Sequence, residues 1–94
     1  MQRRFTFDPQ KDAANKAKHR LGLDDARDLD WESAVINDAR PDRFGKPRMY
    51  ALGMYRQKVH VVIFAYLGNE AISVISFRRA DEQERNLYYA RTQA

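Results

Sequence analysis

Three groups of polar side chains in this 94-residue chain have types and spacings that can do chemistry. Asn15, Lys18 and His19 stand three and four residues apart, so on a helix they share one side and set an imidazole beside an ammonium group. Arg78 and Arg79 are consecutive. A guanidinium forks onto a phosphate and keeps its charge at any physiological pH. Glu84, Arg85 and Tyr88 are spaced so that a carboxylate, a guanidinium and a phenol share one helical patch. Each group also has a purely structural account. The first is equally a solvated helix face, the second a strand end tied to a carboxylate such as Asp81 or Glu82, and the third a helix cap with a tyrosine closing the core.

The rest of the composition excludes more than it assigns. With no cysteine and two histidines, the chain offers no thiolate nucleophile, no disulfide and no spacing suited to a metal. No H-x-x-x-H, G-x-x-x-x-G-K or G-x-S-x-G string occurs, which removes metallohydrolase, nucleotide-triphosphatase and serine-hydrolase chemistry. His60 lies among valines and reads as a core histidine. Seventeen Lys and Arg against thirteen Asp and Glu leave a formal charge of +4, favouring an anionic partner without naming it. No apolar run approaches the ~18–20 residues of a membrane span, and residues 1–5 lack the apolar centre of a secretory signal. A cytoplasmic protein with no membrane partner is expected.

The elements that must hold these groups follow from periodicity. Arg3 to Phe7 alternates and predicts a short edge strand. Asp8 is an N-cap acceptor and Pro9 suits the first helical position, so a helix is predicted to about Arg20, ended by Gly22. Ala13, Ala14, Ala17 and Leu21 give it a narrow face for close packing on a sheet. Asp24 or Asp25 caps a second, shorter helix through Leu29. Ser33 to Ile36 reads as a strand and 37–47 as a polar loop. From Arg48 the period shortens to two. One strand runs to Met54 and a two-residue turn follows at Arg56-Gln57. The next strand, Val59 to Tyr66, is apolar on both faces and therefore central. Gly68-Asn69-Glu70 turns into a last strand, Ala71 to Arg78, with Ile72 and Val74 on one face and Ile75 and Phe77 on the other. Alternation sends Arg78 and Arg79 to opposite faces unless the strand bulges between them. Asp81 with Glu84 forms a capping box, so a helix begins there and runs through Ala90. The expected architecture is one α+β domain over 1–94, a small antiparallel sheet with two N-terminal helices and a C-terminal helix, in the order β-α-α-β-β-β-β-α.

Phe7-Asp8-Pro9 with Lys11, Asn15, Lys18-His19 and Asp24-Asp25-Ala26, followed by Ser76, Arg78-Arg79-Ala80, Glu84-Arg85 and Tyr88, resembles the opening and closing signatures of the BrnT toxins of bacterial type II toxin–antitoxin systems. The resemblance implies a RelE-like fold and toxicity through RNA cleavage. It also implies neutralisation by a ribbon-helix-helix antitoxin (BrnA-like) that binds the toxin in a hetero-oligomer and contributes the contact with operator DNA. The chain departs from that pattern at three places. Arg20 stands where a glycine usually follows the Lys-His pair, Phe77 where alanine is usual, and Ser73 where many such chains carry arginine.

On this basis the expected activity is a metal-independent, cofactor-free endoribonuclease that arrests translation and growth, in which an RNA 2′-hydroxyl attacks the adjacent phosphate. Arg78 and Arg79 fall to the phosphate, His19 or Tyr88 to proton transfer, and Lys18 to charge stabilisation, with Asn15, Arg56 and Arg85 as further RNA contacts. A non-catalytic basic module that docks an antitoxin and co-represses its operon accounts for the same residues. A DNA-binding domain does not, for want of a basic recognition helix.

Overall fold

The computed structural model describes residues 3–93. Its elements are strand β1 (Arg4–Thr6), helix α1 (Pro9–His19), a 3₁₀ segment (Leu23–Asp28), strands β2 (Val35–Asp38), β3 (Met49–Tyr55), β4 (Lys58–Leu67) and β5 (Ala71–Arg79), and helix α2 (Glu82–Thr92). The five strands form one sheet in the order β1-β5-β4-β3-β2, which puts the doubly apolar β4 at its centre as expected.

Local signals set both helices. The Asp8 carboxylate accepts from the Gln10 N–H at 2.8 Å and Pro9 occupies the first turn. At α2 the Asp81 and Glu84 side chains each accept from the other's backbone N–H, both at 2.8 Å. Helix α1 ends earlier than Gly22. Arg20 takes the left-handed conformation at φ 60° and donates its N–H to the Lys16 carbonyl. That is a position glycine favours, which gives a physical reason for the glycine of the family pattern. The β3–β4 turn likewise uses Arg56 and Gln57 at φ 49° and 69°, the geometry of a primed hairpin turn built without glycine or asparagine.

Ala13, Ala14 and Ala17, expected to pack on the sheet, are exposed, and the structure departs from the sequence expectations at three further points. The second helix is a 3₁₀ segment. The antiparallel meander is joined by a β1 that runs parallel to β5, through pairs from Arg4↔Ala71 to Thr6↔Ser73. The third difference concerns facing. The β4–β5 register shifts between Ile63, opposite Ser76, and Phe64, opposite Val74, so Ile75 is an extra residue in β5. This bulge returns Phe77 to the face of Ile72 and Val74, in place of the alternation that grouped it with Ile75. It also sends Arg78 to the other face, beside Val61.

The sheet is buried on both sides. Leu23, Ala26, Leu29, Ala51, Val62, Phe64, Val74 and Phe77 form the core under the 3₁₀ segment. Leu52, Val59, Val61, Ala80 and Tyr88 form a smaller one under α2. Gly53 is required where the chain after the 3₁₀ segment crosses β3, since a Cβ there would stand 3.0 Å from Leu29.

Candidate active site

Beyond Thr6↔Ser73 the outer edge of β5 has no strand partner, and α1 lies along it. Asn15 closes that gap. Its Nδ2 donates to the carbonyls of Phe77 at 2.9 Å and Leu21 at 2.7 Å, and its Oδ1 accepts from the Phe77 N–H at 3.1 Å. One side-chain amide thus replaces the peptide group of an absent strand. Asn15 is 6% exposed, with its hydrogen bonds spent inside the fold, so the structure corrects its assignment as an RNA contact.

By pinning α1 to β5, Asn15 fixes the end of the helix, one turn on, near the end of the strand. There His19, partly buried, is held below its ordinary pKa by desolvation and by the positive charges of Lys18 and Arg78. It is therefore neutral at pH 7, with a ring nitrogen able to accept a proton. Lys18 is exposed.

Arg78 turns toward α2. Its Nη1 and Nη2 donate to the two Glu84 carboxylate oxygens at 2.8 and 2.9 Å, and Nη1 also donates to the Arg79 carbonyl at 3.2 Å. The bidentate bond raises the guanidinium pKa and is the main reason that Glu84 lies below the usual carboxylate range. A guanidinium has five N–H donors, so three used leaves two for a ligand. Spacing groups Glu84 with Arg85 and Tyr88 and gives it a capping role, but does not pair it with Arg78. Glu84 is cap and clamp together, and it, rather than Asp81 or Glu82, is the carboxylate that holds Arg78.

Arg79 lies on the opposite face, paired in register with His60, and is exposed. His60 is 5% exposed, packed edge-on against Tyr55 and bonded through Nδ1 to the Lys58 carbonyl at 2.8 Å. Desolvation pushes its pKa down against the opposing hydrogen bond to the Lys58 carbonyl, with the Arg79 charge adding to the fall, as befits a core histidine. Arg56, in the β3–β4 turn, lies at the same end of the sheet as Arg79, exposed and 5.3 Å from the Tyr55 ring. Arg85 is exposed on the first half of α2 and donates to the Ala80 carbonyl at 3.1 Å.

Tyr88 does not join this group at the surface. It is 6% exposed in the core beneath α2, edge-on to Tyr89 with centroids 5.3 Å apart. The structure gives it the core-closing role. What the end of the sheet brings together is a neutral imidazole, an oriented arginine with two spare donors, and the exposed cations Lys18, Arg79, Arg85 and Arg56. Among the described residues no group of three or more His, Asp or Glu side chains is placed to hold a metal.

Residues 7–84 match the family model described as the ribonuclease toxin, BrnT, of a type II toxin–antitoxin system. The structure resembles that of the Brucella abortus ribonuclease toxin, BrnT, with a TM-score of 0.69 and 31% identity, over 85% of this chain and 99% of that one. No curated protein matches in sequence.

Proposed function

The chain belongs to the BrnT family of ribonuclease toxins from type II toxin–antitoxin systems, and from that premise we propose that it is a metal-independent endoribonuclease whose site is the Arg78 end of the sheet. The observation that carries this proposal is the orientation of Arg78. Glu84 takes one edge of its guanidinium by two bonds and leaves two donors unspent, the arrangement of a preorganised phosphate ligand. The pair is half-open, with side chains 32% and 24% exposed, so an incoming phosphate need not displace a sealed core.

In this mechanism neutral His19 accepts the proton of the RNA 2′-hydroxyl, whose oxygen attacks the neighbouring phosphorus. Arg78 holds the non-bridging oxygens and Lys18 stabilises the added negative charge, while Arg79, on the opposite face, meets the backbone beyond the scissile phosphate. The bond to the 5′-oxygen breaks, that oxygen takes a proton from solvent water, and a 2′,3′-cyclic phosphate and a 5′-hydroxyl end remain, with the proton on His19 returned to solvent. Arg85 and Arg56 lengthen the cationic surface for the flanking backbone. Tyr88, buried beneath α2, closes the core instead of transferring a proton.

Membership of a type II system implies an antitoxin partner. We assign that partner to the ribbon-helix-helix class, with operator DNA reached only through it, and place the toxin in the cytoplasm. No described helix is long and apolar enough to cross a membrane. The decisive experiment is cleavage of single-stranded RNA by antitoxin-free protein in EDTA. Activity is expected on RNA and not on DNA of the same sequence, and Arg78→Ala is expected to lower kcat by about 100-fold or more, the scale of removing one transition-state charge ligand. Full activity in Arg78→Ala, or a strict requirement for a divalent ion, would refute the assignment. Growth arrest with intact RNA would favour the non-catalytic module instead.

A further inference from the structure

At the opposite end of the sheet, on the face covered by the 3₁₀ segment, lies a groove of about 460 Å³. Four rings line it in a continuous chain: Phe5, Trp31, Phe64 and Tyr66 meet edge to face, with successive centroids 5.5, 5.5 and 5.3 Å apart. Tyr66 ends the chain 44% exposed. Two guanidinium groups sit on this aromatic wall, Arg3 at 4.8 Å from the Tyr66 centroid and Arg27 at 5.5 Å from that of Phe5. Arg27 is bonded to Asp24 at 2.6 Å, whereas Arg3 has no carboxylate within ion-pair distance among the described residues.

We propose that this groove is a second RNA-binding subsite, in which one unpaired nucleobase stacks against Tyr66 while its phosphate is met by Arg3. A nucleotide is the ligand whose chemistry joins a flat π surface to an adjacent anion, and arginine planes and aromatic rings are the side chains that hold splayed bases. The chain of edge contacts makes the wall rigid, and the half-exposed Tyr66 ring at its end, which carries Arg3, has no aromatic partner but Phe64 among the described residues. An acidic peptide shares the charge but has less use for a wall of ring faces. Along β5 the six steps from Ile72, which borders the groove, to Arg78 span about 20 Å at ~3.3 Å per residue. The groove therefore holds a nucleotide other than the one at the Arg78 site. This inference rests on the ribonuclease proposal for the identity of the ligand.

Trp31 is the single tryptophan and lines the groove, so its fluorescence reports occupancy directly. Antitoxin-free protein is titrated with a short 2′-O-methyl oligouridylate, which binds without being cut, and separately with uridine monophosphate. Saturable quenching is expected with the oligonucleotide. Tyr66→Ala, whose circular dichroism reports folding, is expected to weaken it by about 5–150-fold, the range of one base–aromatic stack. Arg3→Ala is expected to weaken it and to flatten its salt dependence, as loss of one phosphate contact does. Quenching by the monophosphate as well supports the same site filled from a free nucleotide. An unchanged emission, equal quenching in folded Tyr66→Ala, or a response to the antitoxin alone would overturn the proposal. Cleavage of unmodified RNA is measured in parallel. Quenching without cleavage leaves the groove standing and removes the catalytic assignment, and cleavage without quenching does the reverse.

Discussion

Replacing Asn15 by alanine removes the one side chain that joins α1 to the unpaired half of β5, and the structure sets the size of the effect. Three hydrogen bonds are lost, to Leu21 O, Phe77 O and Phe77 N. Leu21 is partly exposed, so water can replace one partner. Phe77 is fully buried, so its N–H and carbonyl are left unsatisfied. Each such group costs about 1–3 kcal/mol, and allowing for relaxation of the edge, Asn15→Ala should destabilise the fold by about 2–4 kcal/mol. A domain of this size has about 5–15 kcal/mol in total, and 1 kcal/mol moves Tm by about 4–8 °C, so a fall of about 10–25 °C is expected. Asn15→Asp should cost at least as much, since it turns a carboxylate oxygen toward two carbonyls. The assays are thermal melting by circular dichroism and RNA binding below both melting temperatures. A Tm within about 3 °C of the parent, with RNA binding lost, would refute the structural role and return Asn15 to the RNA surface.

Two predictions concern other parts of the fold. His60 and His19 both titrate below their ordinary range, so between the folded values and about 6.5 the unfolded chain binds more protons than the native one, and stability falls as pH drops through that window. The urea midpoint should be lower at pH 5.5 than at pH 7.5, a difference the Glu84–Arg78 pair does not contribute because Glu84 loses its proton at lower pH still; an equal or higher midpoint at pH 5.5 would contradict it. Arg20→Gly should raise stability by about 1 kcal/mol, and Tm by about 4–8 °C, by relieving a left-handed residue with a side chain at the end of α1; an unchanged or lower Tm would show that Arg20 carries no such strain.

What could be foreseen divides by the range of the interaction responsible. Asp8-Pro9 and the Asp81/Glu84 box announce their helices because the capping bonds span two or three residues. The alternation of Val59 to Tyr66 announces a central strand because burial on both faces is written into each side chain. The bulge at Ile75 is not foreseeable in this way, since it exists only as a mismatch between two strands, and the facing of Phe77 and Arg78 depends on it. Asn15 looked like a surface residue because the edge it completes lies 62 positions away. The Arg78–Glu84 clamp spans only six residues and was within reach of the sequence. It was hidden because Glu84 already had a complete local explanation as a cap.

Arg78 and Arg79 project from opposite faces of β5 at the point where the strand ends, which limits the shape of any polyanion that meets both. Such a ligand has to pass around the strand end within the thickness of a single sheet. A nucleic-acid duplex resists bending on that scale, with a persistence length of about 50 nm for double-stranded DNA, so its backbone reaches one arginine or the other. An unpaired strand swivels at every nucleotide and can straddle the end. Discrimination against paired substrate then needs no base-reading contact, because it is a matter of curvature imposed by two adjacent residues.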